Sequence, residues 1–303
     1  MNVLFVGGGR RIELAKRFIA RGYKIFAYEL HSNVPISSVA RIVEGCKWTD
    51  EGLSDHLLAT IQEHNIDLVF PLQDEAIRLC AELSDVGAKV VASNPETADI
   101  CFDKFEFEDF IMGVLPNVYP VDISQYPKII KPRFGFGSRN VRIANSLTDI
   151  MRWEKELGDR LYLDNVIQRK IEGVEYSVDS YFDRDCKWVQ SVPRTRIRVG
   201  SGEVITSKTV YNPKLRSLTA LVGEKLGIRG PSNTQWIVDK HGHPYIVEVN
   251  ARFGGGYTLS MEAGMDTISF IEYDYFGIGK SRVIHPITYN LLLERSYRDH
   301  YYG

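Results

Sequence analysis

The stretch VEVNARFGGG at 247–256 constrains the chain most, because Glu248, Asn250 and Arg252 recur at intervals of two after an apolar run. On a β-strand that spacing puts all three side chains on one face. A carboxylate beside an amide oxygen suits Mg²⁺, a hard ion that takes oxygen ligands and is often held by few protein groups plus phosphates. Arg252 then lies within reach of a phosphate oxygen. A second run, NTQWIVD at 233–239, leads through His241-Gly242-His243-Pro244 into the first. This predicts an antiparallel hairpin and brings Gln235 to the same end as a third oxygen ligand. The alternative for this stretch alone is a strand with a polar edge and a glycine-rich turn after it.

Upstream, IIKPRFGFGSRNV at 129–141 reads as a strand carrying Lys131, a loop with Gly135, Gly137 and Ser138, and a second strand from Asn140. Such a loop lets backbone N–H groups close over phosphates, and the lysine supplies a point charge. The lysine precedes the glycines, so this is not the Walker pattern. A hairpin with a flexible turn is the alternative. In VIQRKIEGVEYSVDSYFD at 166–183, Val174, Tyr176, Val178 and Ser180 alternate with Glu175, Ser177, Asp179 and Tyr181, as in a strand. Glu175 stands at its start, either as a carboxylate for two ribose hydroxyls or as a solvated strand residue.

These pieces follow one another in the order of a known family. Over nearly its full length the chain resembles the ATP-grasp superfamily, and within it the large subunit of carbamoyl phosphate synthetase and related small carboxylate–amine ligases. The matching elements are Asp103-Lys104, the K-P-x-x-G-x-G-S run from Lys131 to Ser138, and Q-x-x-I-x-G-x-E from Gln168 to Glu175. N-x-Q from Asn233 to Gln235 and E-x-N-x-R from Glu248 to Arg252 close the pattern. Five ordered matches are far more specific than any one of them.

The resemblance implies an α/β chain with the ATP-grasp fold. An N-terminal parallel α/β (pre-ATP-grasp) domain would span 1–102 and an ATP-grasp domain 103–303, the latter with a small α+β lid at about 115–170 and a C-terminal α+β part. It implies ATP together with Mg²⁺, or Mn²⁺ in place of Mg²⁺. Lys104 and Lys131 would contact the phosphates, and the loop with Gly135, Gly137 and Ser138 would cover them. Gln168, Arg169, Lys170 and Ile171 would hold the adenine, Glu175 the ribose, and Gln235, Glu248 and Asn250 the metal. Arg252 would face the transferred phosphoryl group. Many relatives have Glu where this chain has Gln168, and an amide can still meet the adenine amine through its oxygen.

The first hundred residues alternate strands (3–9, 24–28, 67–71, 89–93) with helical stretches, near 53–64 and 74–84 among them, which implies a parallel sheet. Gly7-Gly8-Gly9 invites a dinucleotide reading, but Ile12 stands where the third glycine of G-x-G-x-x-G belongs. By the resemblance this unit helps shape the acceptor site, and Arg10, Arg11 and Glu75 become candidates for substrate contact. For Arg11 and Glu75, plain surface positions are an equal alternative. Prolines at 116, 120 and 127 mark a linker, and helices are expected over 146–157, with Ser146 as N-cap, and over 215–226.

In PRTRIRVGSGEVITSK at 193–208, Arg194, Arg196 and Arg198 alternate along a strand and share a face. Unpaired in a core they would be very costly, so the row either faces water or serves an anion through paired N–H donors. Relatives place an arginine at Arg194, which makes it the first candidate for an anionic substrate, with Arg196 beside it. Lys208 resembles a lysine that contacts the terminal phosphate in some members.

The chain has 303 residues with 37 Lys+Arg against 39 Asp+Glu, a balance that suggests neither nucleic acid nor an acidic membrane surface as partner. No apolar run approaches the ~20 residues that span a bilayer. Cys46, Cys80, Cys101 and Cys186 lack C-x-x-C spacing and read as buried thiols of a reducing compartment, the cytoplasm. The N-terminus does not read as a secretion signal. Small-molecule carboxylate and amine substrates are the expected partners, and a homodimer is left open.

The expected chemistry follows from these parts. A carboxylate is a poor electrophile, so ATP first phosphorylates it and an amine then displaces phosphate; the protein supplies placement and positive charge. Carbamoyl-phosphate-type phosphorylation of bicarbonate or carbamate, with ammonia from a partner, competes with this reading. So does a nucleotide-binding module that does not turn over.

Overall fold

The computed structural model describes residues 1–83, 86–120, 124–135, 139–200, 203–296 and 299. Strand β1 (Asn2–Val6) is the middle of a parallel sheet and covered on both sides, which is why VLFV is apolar at every position. Helix α1 (Ile12–Ala20), β2 (Lys24–Glu29), β3 (Arg41–Glu44), α2 (Leu53–Glu63), β4 (Leu68–Pro71), α3 (Asp74–Ala81) and β5 (Lys89–Val90) complete this unit. The strand order is β3-β2-β1-β4-β5, all parallel. The direction of winding therefore reverses at β1. The crevice beyond the C-terminal ends of β1 and β4 is the switch point at which such sheets take ligands. Gly7, at φ +75°, opens that edge, and a Cβ there would meet the Gln73 side chain at 2.8 Å.

Glu29 ends β2 beneath the glycine turn. Burial pushes its carboxyl up to about 7 against the opposing pull of the Gly8 and Gly9 N–H groups. A raised folded-state pKa means that its stabilising contribution is complete below the ordinary carboxylate range and is lost as pH rises through about 7. Glu29→Gln is expected to flatten the fall in melting temperature between pH 5 and pH 8. Parallel curves for parent and variant over that range would exclude the effect.

Helices α4 (Pro95–Phe102) and α5 (Lys104–Val114) lead to the lid. There β6 (Lys128–Pro132) lies between β7 (Arg142–Ala144) and β8 (Asn165–Arg169), with α6 (Leu147–Leu157) and α7 (Arg160–Leu163) connecting the last two. The lid core is small: Ile130, Ala144, Ile150 and Leu161. The second strand begins at Arg142, two residues beyond the expected start. Ser146 holds the N-cap position of α6 without capping it; Asp149 Oδ2 instead accepts from the Asn145 N–H at 2.9 Å.

The third sheet joins β9 (Gly173–Phe182), β10 (Trp188–Gly200), β11 (Glu203–Thr209), β12 (Gly230–Asp239), β13 (Pro244–Asn250) and β14 (Leu292–Glu294) in the order β13-β12-β9-β10-β11-β14. Helices α8 (Pro213–Leu226), α9 (Tyr257–Glu262) and α10 (Thr267–Phe276) belong to the same part of the chain. Phe5, Phe18 and Phe70 from the parallel unit share one core with Phe253, Tyr257, Ile268 and Phe270. Phe253 sits 5.5 Å from Phe70, centroid to centroid. The parallel unit thus packs directly on the segment that follows β13. Strands β3 and β14 and helices α4, α5, α7, α9 and α10 were not expected from the sequence. Among the described residues no helix is long and apolar enough to cross a membrane.

Candidate active site

Hairpin β12–β13 is antiparallel and sets Asn233 opposite Asn250 and Gln235 opposite Glu248. Asp239 Oδ1 ties its turn by accepting from the N–H groups of His241 and His243, each at 2.9 Å. His243 itself reaches the Asn117 carbonyl at 2.7 Å, away from any metal role. Buried Trp236 anchors the hairpin from beneath, donating from Nε1 to Thr219 Oγ1 at 3.0 Å. On the face above, Gln235 Nε2 and Asn250 Nδ2 both donate to Glu248 Oε1, at 2.5 and 2.9 Å.

The three side chains expected to hold a metal therefore converge on one carboxylate oxygen. Their donor set, one carboxylate and two amides, fits a hard divalent ion. No cluster of three or more His, Cys, Asp or Glu suited to a metal occurs among the described residues. A bound Mg²⁺ would thus draw on amide, phosphate and water oxygens beside Glu248.

A cleft of about 220 Å³ opens against this hairpin, lined among others by Asp74, Glu75, Lys104, Gly135, Glu248 and Asn250. Lys104 is the first residue of α5, capped by Asp103, and its Nζ donates to the Gly135 carbonyl at 3.0 Å. Arg133 grips Asp103 with two donors, fixing the chain between lid and helix. Lys131, on β6, donates to Gln168 Oε1 at 3.1 Å. Burial lowers the pKa of both lysines; for Lys131 the nearby Lys104 adds to that, while Glu248 opposes it in both. Two neighbouring lysines whose burial disfavours their charge are suited to a polyanion, which restores the favourable field. Gly135 lines the cleft, whereas Gly137 and Ser138 lie outside the described residues.

Arg252 sits at the junction of the two units. Its Nε and Nη2 reach Asp74 Oδ1 at 2.8 and 2.7 Å, and Nη2 donates to Asn250 Oδ1 at 3.0 Å. Beyond it, Arg11 lies 3.8 Å from Glu203, and Arg295 donates to Glu203 at 3.1 Å and to the Gly255 carbonyl. Burial, together with the charges of Arg252 and Arg295, brings Arg11 down to about 10. Three arginines thus face two carboxylates at the switch point. Gly255 permits this approach, since a Cβ there would stand 3.1 Å from Arg11 Nη1. Asp74, Glu203 and Arg295 were missed in the sequence. Asp74 carried a usable signal, an acidic pair with Glu75 at the start of a helix, whereas Glu203 and Arg295 carried none.

The arginine row takes a different form from the one expected. Arg194 is 2% exposed and bound to Asp179, itself fully buried, through Nε at 2.8 Å and Nη2 at 3.2 Å. Asn233 Nδ2 and Ser260 Oγ complete the carboxylate's partners, both at 2.6 Å. Neither water nor substrate is needed: a buried counter-charge satisfies Arg194, a third solution that strand alternation does not reveal. Its guanidinium supports the glycine turn, for a Cβ on Gly256 would lie 2.7 Å from Arg194 Cζ.

A bulge between Arg196 and Arg198 then breaks the shared face. Arg196 approaches Glu175 at 3.3 Å without hydrogen-bond alignment, and exposed Arg198 pairs with Glu294. Glu175 remains half exposed at the start of β9. Lys208 is half-buried in β11 opposite Thr195, and Arg10 is exposed beside the switch point.

In the segment expected to hold adenine, Gln168 is buried, and Arg169 donates to Tyr245 Oη at 2.9 Å. The backbone N–H groups of Arg169 and Lys170 are taken by the carbonyls of Pro120 and Pro127, and Ile171 is half-buried.

Residues 163–286 match the family described as ATP-grasp in the biosynthetic pathway with Ter operon. Mitochondrial pyruvate carboxylase of Rattus norvegicus is 23% identical over 244 residues, 68% of this chain and 20% of that protein. The match thus covers well under two thirds of that curated relative. Among solved structures, the biotin carboxylase domain dimer of Hydrogenobacter thermophilus 2-oxoglutarate carboxylase, in complex with MgADP, ADP and bicarbonate, aligns with a TM-score of 0.70. It is 15% identical, with 96% of this chain and 73% of that chain covered. The L-amino acid ligase from Bacillus licheniformis aligns with a TM-score of 0.67 at 18% identity, over 91% and 74% of the two chains.

Proposed function

We propose that this chain, whose residues 163–286 match an ATP-grasp family, is an ATP-dependent ligase that activates a carboxylate as an acyl phosphate and joins it to an amine. The observation that carries this reading is the convergence of Gln235, Glu248 and Asn250 on one face of the hairpin, with Arg252 bonded to Asn250 just beyond it and Lys104 lining the same cleft. In this reading Lys104 and Lys131 hold the phosphates, and Arg252 stabilises charge on the phosphoryl group as it moves to the acceptor. Gln235, Glu248 and Asn250 would hold Mg²⁺, which when bound supplies charge neutralisation and orientation. Arg11 and Arg295 orient the acceptor carboxylate from the switch-point side, and Glu175 takes the ribose. Arg194 acts only by propping the glycine turn.

A second reading, phosphorylation of bicarbonate, is favoured by the bicarbonate in the H. thermophilus neighbour. Phosphate release should be measured with ATP, Mg²⁺ and a panel of carboxylates and amines, with bicarbonate and ammonia as separate arms. Release that requires a carboxylate and an amine supports the ligase. Release with bicarbonate alone favours the second reading, and ATP binding without turnover in any arm overturns both. Lys131→Ala is expected to weaken ATP binding ~10- to 100-fold, the loss of one charge-assisted hydrogen bond. Calorimetry that finds unchanged affinity would remove Lys131 from the phosphate site. A homodimer, the state named for the H. thermophilus neighbour, is the assembly to test by light scattering.

A further inference from the structure

Glu108, Tyr119, Gln168 and Lys131 form a chain of hydrogen bonds that runs from α5 into the lid. Tyr119 Oη donates to Glu108 Oε2 at 3.1 Å, Gln168 Nε2 donates to Tyr119 Oη, and Lys131 Nζ donates to Gln168 Oε1 at 3.1 Å. An ammonium only donates and a carboxylate only accepts, whereas an amide has one end of each kind. Tyr119 has a single hydroxyl proton, committed to Glu108, so its oxygen accepts from the Gln168 amide nitrogen. The amide oxygen is thereby turned the other way, toward Lys131. Tyr119 and Gln168 are 4% and 5% exposed, so their polar groups depend on these partners.

We propose that Glu108, acting through Tyr119, fixes the Gln168 amide with its oxygen toward the nucleotide and so makes the site select a 6-aminopurine over a 6-oxopurine. This rests on the ATP reading above, in which Lys131 is drawn to the phosphates. The Tyr119–Glu108 end alone then holds the amide. An adenine amine donates to the freed Gln168 oxygen. The 6-oxo group of guanine would face that oxygen with a second acceptor, leaving both unpaired. A carboxylate at position 168 would accept whichever way it turned and would need no such device; a glutamine does. Glu108 and Tyr119 are positioning residues, since they act only through Gln168.

The test is the ratio of ATP to GTP affinity, measured by calorimetry on the full chain. Glu108→Gln can donate to Tyr119 and release the hydroxyl proton toward Gln168, which turns the amide nitrogen to the base; Tyr119→Phe removes the link altogether. The parent chain is expected to prefer ATP by ~100-fold or more, and each variant to narrow the ratio by ~10-fold. Adding Gln168→Glu to Glu108→Gln should restore the preference. Folded variants that keep the parent ratio, or a parent chain that binds both nucleotides alike, overturn the relay. A parent chain that binds neither nucleotide refutes the ATP reading itself, and the relay with it.

Discussion

Glu248→Gln is expected to lower phosphate release ~100-fold or more while leaving the melting temperature within a few degrees of the parent chain. The substitution keeps volume and an oxygen that can still accept from Gln235 and Asn250, which now both donate to Glu248 Oε1. It removes the one negative charge in the expected metal set. Burial already lowers the pKa of Lys104 and Lys131, and the charge of Glu248 opposes that shift in both. With that negative charge gone, the variant should also need more Mg²⁺ for half-maximal release. Near-parental release at limiting Mg²⁺ would sink the metal assignment, and a large drop in melting temperature would show that Glu248 is chiefly structural.

Asp179→Ala is expected to destabilise the chain by about 3–5 kcal/mol, because it strands the Arg194 guanidinium without a counter-charge inside the sheet. For a chain of this size that corresponds to a fall of roughly 5–8 °C in melting temperature. Asn233 and Ser260 lose an acceptor at the same time, and the glycine turn loses its prop. Arg194→Lys separates this account from a substrate role. A buried pair predicts a stability loss with little change in acceptor KM, and a substrate contact predicts the reverse. Unchanged melting for Asp179→Ala would refute the structural assignment.

Several parts of the fold were legible because the signal is local. The hairpin of β12 and β13 follows from two alternating runs and a short turn, and the buried strands β1 and β4 from continuous apolar runs between helical segments. The grouping of Glu248 and Asn250 came from period-two spacing, and that of Gln235 with them from the hairpin pairing. The arginine row misled for the same reason. Alternation assigns a face only while the ladder is regular, and the bulge after Arg196 ends that regularity. Spacing also says nothing of what lies opposite the face, so the burial of Arg194 against Asp179 could not be read from it.

The sequence by itself determined the ordered motifs, the parallel character of the first unit and the face on which Glu248 and Asn250 stand, because each depends on neighbours a few residues apart; Arg252 lies beyond the end of β13. Tertiary structure alone decided that Asp74 meets Arg252 across 178 positions, that Arg295 reaches back 92 positions to Glu203, and that Tyr119 fixes the Gln168 amide from 49 positions away. Side chains so distant in sequence leave no periodic trace. Their meeting is set by how the parallel unit, the lid and the six-stranded sheet pack, and with it which charges are paired and which are left to attract a ligand.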